Sequence, residues 1–209
     1  KTENINLNLF KTIYLHEINR HFMLGEFTSG TRIVKRLENE MDDFIPMLDQ
    51  HTVLIFYYKI ACLYFGSGNL KTAIKWLNKI INEKETSLRE DLHSFARILL
   101  LMSYFDMGDE DSVEYNIKST YRFLMKKKTL SRYHNHILNF LKNLMHNSTR
   151  KTLHSAFNSL KTQMQKLEHS RYEKRAFLYF DIISWLESKE QEKPLEEIIK
   201  EKISARRQS

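Results

Sequence analysis

Two glycines forty residues apart, Gly68 and Gly108, each follow an aromatic-rich helical stretch and precede a second amphipathic one. The windows YYKIACLYFGSGNLKTAIKWLNKI (Tyr57–Ile80) and ARILLLMSYFDMGDEDSVEYNI (Ala96–Ile117) align as helix, glycine turn, helix. A third copy, IYLHEINRHFMLGEFTSGTRIVKRL (Ile13–Leu37), turns at Gly25. Self-similarity at such a period constrains a chain strongly. One hairpin cannot bury its own apolar face, so neighbouring copies must stack to make a core.

Within the best copy, Ile60, Ala61 and Tyr64, then Leu70, Ala73, Ile74 and Leu77, recur at intervals of three and four, the spacing of a helix face. Only 5 Gly and 2 Pro punctuate 209 residues, too few for the many turns of an all-β domain. With 42% hydrophobic residues the chain has the material for a substantial core.

The copies resemble tetratricopeptide repeats. In the family's pattern of alternating aromatic, small and apolar positions, Tyr57 takes the first aromatic place. Ile60 and Ala61 take the Leu-Gly pair, and Tyr64 the next aromatic. Gly68 is then the turn glycine, Leu70 the second-helix aromatic, Ala73 and Ile80 the small positions and Leu77 the large one. Ala96, Leu100, Leu101, Tyr104, Gly108, Val113 and Ile117 follow the same spacing, with Arg97 and Glu110 as departures. Tyr14, Ile18, Gly25, Phe27, Gly30, Val34 and Leu37 do so in the first copy, where Glu17 and His21 depart. The spacing of forty exceeds the family's usual period of about 34 residues, and the stretch from Asn82 to Asp91 is where the extension is expected.

This resemblance implies an all-α fold: a right-handed superhelical stack of antiparallel helix hairpins (an α-solenoid) with C-terminal capping helices. Residues 1–130 supply three hairpins. Residues 131–209 supply a divergent hairpin, Tyr133–Leu144 and Leu153–Leu167 joined through His146–Asn147–Ser148–Thr149, and the caps, all in one continuous domain. Glu173–Glu187 and Pro194–Ile203 are amphipathic. Their residues Phe177, Phe180, Ile183, Trp185 and Leu186 are expected to close the end of the stack or to fold back into its groove.

In such stacks the concave surface is lined by first-helix residues that face away from the second helix. By that register the candidates are Leu15, Asn19 and Phe22, then Ile55, Tyr58, Cys62 and Phe65, then Phe95, Ile98, Met102 and Phe105. An aromatic and aliphatic groove of this kind suits an amphipathic helix or apolar peptide, with Met102 able to adapt its shape. The same stripe at helical spacing also serves as core.

Reaction chemistry has little to work with. No nucleophile elbow, phosphate-cradling loop or dinucleotide fingerprint occurs. Cys62 sits among apolar neighbours that quiet a thiol. Histidine pairs His134/His136 and His146/His154 lack a carboxylate at ligand spacing, so no metal or other cofactor is expected. The acidic stretch Glu38, Glu40, Asp42, Asp43 reads as a solvated helix end.

The net charge of +7 is scattered through Lys126–Lys128, Arg150–Lys151, Arg171, Lys174–Arg175 and Arg206–Arg207, without the continuous stripe that nucleic acid requires. No apolar run reaches the roughly 20 residues of a membrane span. One cysteine excludes an internal disulfide framework and makes a reducing cytoplasm the expected setting. The chain opens at Lys1 without an initiator Met and is expected to be the C-terminal part of a longer protein.

The expected function is therefore a protein- or peptide-binding adaptor or scaffold without catalytic activity. The alternative is a ligand-sensing regulatory module of a larger signalling or transcription-regulator protein. Binding of nucleic acid by the basic C-terminal half is the weaker third reading.

Overall fold

The computed structural model describes residues 2–144 and 150–208, which form ten α-helices and two short 3-10 turns, with no strand among the described residues. In chain order the helices are α1 (Thr2–Met23), α2 (Phe27–Phe44), α3 (Gln50–Gly66), α4 (Leu70–Ile81) and α5 (Glu90–Asp106). They continue with α6 (Glu110–Lys126), α7 (Arg132–Leu144), α8 (Arg150–Glu168), α9 (Ile182–Glu190) and α10 (Leu195–Gln208). Consecutive helices pair as α1–α2, α3–α4, α5–α6 and α7–α8. Each second helix also packs on the next first helix, and the first helices α1, α3, α5 and α7 lie side by side in that order. The expected turn at 146–149 lies outside the described residues.

The repeated glycines do one job three times. Gly25, Gly68 and Gly108 have φ of +62°, +78° and +70°, a left-handed conformation that costs a residue with a Cβ about 1–2 kcal/mol. There the chain closes a helix by two reverse hydrogen bonds. Gly68 and Asn69 donate to the carbonyls of Phe65 and Tyr64 at 3.0 and 2.9 Å, and Gly108 and Asp109 donate to those of Phe105 and Tyr104 at 3.0 and 3.0 Å. The next residue then caps the following helix: Asn69 accepts from the Thr72 N–H and Asp109 from the Ser112 N–H. The same closure recurs after α6 with Lys128 (φ +55°), and after α9 Glu192 (φ +53°) reverses the chain so that Lys193 donates back to the Ser188 carbonyl; no glycine marks either turn.

Departures from the repeat pattern are absorbed locally. Glu17 pairs with Arg36 at 2.9 Å, and His21 Nδ1 lies 3.0 Å from the Glu26 carboxylate, so α2 still closes on α1. Arg97 lays its guanidinium 4.3 Å from the Phe123 ring centroid, which turns a missing aromatic into a cation over one. Glu110 sits in the first turn of α6, where a carboxylate meets the helix dipole favourably. Residues 82–89 form the connector between α4 and α5.

Close approach is needed at Gly66. A Cβ there would lie 2.4 Å from the Phe27 ring, which the end of α3 receives from α2. Gly66→Ala should therefore destabilise the chain by about 1–3 kcal/mol through overpacking, read as a lower urea midpoint. An unchanged midpoint would remove the α2–α3 contact as described.

Amphipathic helices α2, α4 and α6 bury one stripe each, such as Val34, Leu37 and Met41 in α2. Helices α3 and α5 are buried almost all round, from Thr52 to Gly66 and from Leu92 to Ser103. A helix without a polar face must be covered on every side. Flanking helices cover α3 and α5 on one side, and the chain beyond α8 covers them on the other.

Candidate binding face and the segment that crosses it

The residues expected to line a groove lie on α1, α3 and α5, three of the four helices in the side-by-side row. Tyr58, Cys62, Phe65, Phe95, Ile98 and Met102 are buried there, whereas Leu15, Asn19, Phe22, Ile55 and Phe105 are partly buried. What covers Tyr58, Phe65, Phe95 and Phe105 is residues 173–190. This segment reaches back across the face instead of stopping at the end of the last hairpin, and α10 continues to the α1–α2 turn.

Three polar anchors hold the crossing segment and a fourth holds α10, and each joins residues far apart in sequence. Glu173, 7% exposed, accepts the backbone N–H groups of Arg132 and Tyr133 at 3.1 and 3.2 Å. It thereby satisfies orphan donors at the start of α7 and sets a negative charge on the positive end of that helix. Next, the Tyr179 hydroxyl donates to Asp91, which Arg89 also grips through Nε and Nη2 at 2.9 and 2.8 Å. Burial pushes the Asp91 carboxyl up, but the bonds from Arg89 and Tyr179 outweigh it and hold the pKa at about 2. Third, the Trp185 indole N–H donates to Asp106 at 3.0 Å, and Lys189 pairs with the same carboxylate at 2.8 Å. Burial still keeps Asp106 above the ordinary carboxyl value, with Lys189 and Trp185 offsetting part of the effect. Last, Glu196 of α10 accepts from the Thr28 N–H and hydroxyl at 2.9 and 2.7 Å, capping α2 from the opposite end of the chain.

Between these anchors the contacts are aromatic. Tyr179 stacks on Phe95 with centroids 4.2 Å apart and an interplanar angle of 11°, and meets Tyr58 edge-on at 6.1 Å. Phe180 stands perpendicular to Phe65 at 5.2 Å, and Phe177 meets Tyr133 at 5.4 Å. Trp185 closes a cluster with Phe105, Phe140 and Phe157, at 6.1, 6.5 and 5.9 Å. Such pairs each add about 0.5–1.5 kcal/mol beyond the area they bury.

The cover is incomplete toward α1. Two clefts flank the Tyr179–Phe180 crossing and share Phe22 and Cys62. One, of about 190 Å³, runs between Phe27, Phe180, Leu195 and Ile199 and ends at Lys202 and Arg206. The other, of about 180 Å³, lies between Ile55, Tyr58, Lys59, Arg89, Leu92, Leu178 and Tyr179.

Burial pushes the Cys62 thiol up to about 12, with Lys59 and Tyr58 only partly countering it, so the group is a neutral wall atom at physiological pH. Among the described residues no group of three or more His, Cys, Asp and Glu is placed to hold a metal ion. His134 is buried against Phe95, His136 lies half-buried on the same helix, His154 is exposed on α8, and His146 is outside the described residues. Among the described residues no helix is long and apolar enough to cross a membrane.

Lys126–Lys128 end α6, where Lys127 pairs with Glu90 at 3.0 Å. Lys174 and Arg175 are exposed on the outer side of the crossing segment, and Arg206 and Arg207 sit in the last turn of α10.

The anchoring residues Glu173, Asp91, Asp106 and Glu196 were not among the sequence-derived candidates. One outward signal of the crossing they hold was an apolar C-terminal tract, Phe177 to Leu186, richer than an end cap needs. In comparisons with protein-family models, curated proteins and solved structures, no match to the chain was found.

Proposed function

We propose that this chain is a tetratricopeptide-like adaptor or scaffold, a right-handed superhelical stack without catalytic activity, working in the cytoplasm. Its row of first helices binds an aromatic-rich protein or peptide segment. The observation that carries this reading is that the row already holds a peptide, residues 173–181 of the chain itself, through stacked rings and carboxylate anchors. A partner offering the same features in the same order would use the same seats, with Phe95, Tyr58 and Phe65 as aromatic anchors. The chain's own segment sets the threshold, because a competitor's apparent affinity falls by the fraction of molecules whose face is open.

A labelled synthetic peptide spanning residues 173–190 tests the reading by fluorescence anisotropy. Against the intact chain carrying Tyr179→Asp it should bind at least about tenfold more tightly than against the unaltered chain. Adding Phe95→Asp should abolish binding. A Tyr179→Asp chain that keeps its circular dichroism and leaves the peptide free would overturn the proposal.

A second reading, a ligand-sensing regulatory module, draws on the two clefts that straddle the crossing segment. A molecule seated in either would touch both the stack and the segment that covers it.

A further inference from the structure

The cleft beside Tyr179 contains a cation without a counter-ion. Lys59 leaves the middle of α3, and its ammonium donates to the side-chain oxygen of Asn19 on α1 at 2.5 Å. No carboxylate among the described residues forms an ion pair with it. The other cation on the wall, Arg89, is already neutralised by Asp91. The remaining walls are apolar or aromatic, among them Phe22, Ile55, Leu92 and Tyr179. Burial holds the Lys59 ammonium below its ordinary pKa, the mark of a charge that has lost water without gaining an opposite charge.

We propose that this cleft binds a small amphipathic carboxylate, with the carboxyl group paired to Lys59 and an apolar body lying between Phe22, Ile55 and Tyr179. The volume of about 180 Å³ admits a single ring with a short acid chain. Asn19 takes up only one of the three N–H donors of the Lys59 ammonium, which leaves two for a carboxylate. Tyr179 belongs to the crossing segment and Phe22 to α1, so a bound acid bridges the two and stabilises the covered form. The site does not depend on the peptide-binding reading, because the acid occupies space that the chain's own segment leaves open.

The probe pair is 4-phenylbutyrate and 4-phenylbutan-1-ol, which share a body and differ in charge. Calorimetry on the intact chain should show the acid binding at least about tenfold more tightly than the alcohol, and the acid should raise Tm. Lys59→Met, which keeps the stem and removes the charge, should erase that preference. Asn19→Asp, which sets a carboxylate beside the same ammonium, should erase it too and gives an independent check if Lys59→Met folds poorly. Equal affinity for acid and alcohol, no binding of either, or an acid preference that survives both substitutions would each overturn the proposal.

Discussion

Trp185→Ala is expected to lower stability by about 3–5 kcal/mol, measured as the free energy of urea unfolding. Trp185 is 2% exposed and is the largest of the fully enclosed side chains. Its removal opens a cavity at the meeting point of Phe105, Phe140 and Phe157, rings supplied by α5, α7 and α8. Those helices cannot collapse into the space without breaking the α5–α6 and α7–α8 pairings that hold them. The indole N–H is lost as well, leaving Asp106, a carboxylate with one oxygen already unpartnered, dependent on Lys189 alone. A buried acceptor stripped of a donor costs about 1–3 kcal/mol of its own.

Trp185→Phe separates the two parts, since it restores most of the ring volume and not the hydrogen bond. It should lose no more than about 1–3 kcal/mol. If Trp185→Ala costs under about 1 kcal/mol, the segment does not lie across the stack.

That prediction touches the part of the structure least legible in the sequence. Hairpins could be read because their determinants are local: Gly68 and Asn69, or Gly108 and Asp109, set turn and cap within two adjacent residues. The turns at Lys128 and Glu192 also reverse through a left-handed residue but escaped notice, because such a residue with a Cβ leaves no compositional mark. The path of residues 173–208 is encoded differently. Arg132 and Glu173 are 41 positions apart, Asp91 and Tyr179 are 88 apart, and Thr28 and Glu196 are 168 apart. No periodicity reports such pairs, since each member looks like an ordinary surface residue until its partner is in place.

Two signs of the crossing were nonetheless present. Helices α3 and α5 lack the polar face that a groove-lining helix should turn to water. The tract from Phe177 to Leu186 carries more apolar surface than one neighbour can cover. Taken together, these two surpluses fit each other, and the groove residues and the C-terminal rings became one core.

The second large effect is on pH. His134, 4% exposed, stands between Phe95 and the Ser131 cap of α7, and its Nε2 is buried without a partner. Burial lowers its pKa to about 4, Glu173 opposing only in part. An unfolded chain protonates the same ring near about 6.5. Between those values the unfolded state binds a proton that the folded state refuses, so stability is fully present above about pH 6.5 and drains away as pH falls toward 4. The difference of about 2.5 units corresponds to about 3 kcal/mol. His93, also lowered by burial and by the nearby Arg97, adds loss of the same sign.

Below pH 4 the loss passes to Asp91, whose carboxylate is held ionised down to about 2 and whose grip on Tyr179 weakens on protonation. Urea midpoints measured from pH 7 to pH 4 should therefore fall steadily, and His134→Gln should flatten that fall. A level profile in the unaltered chain, or an equal slope in His134→Gln, would contradict the burial of this ring. His134 packs on Phe95, and Phe95 on Tyr179, so protonation acts where the crossing segment is seated. Acid should accordingly raise amide exchange in residues 173–181 before it raises exchange in α3.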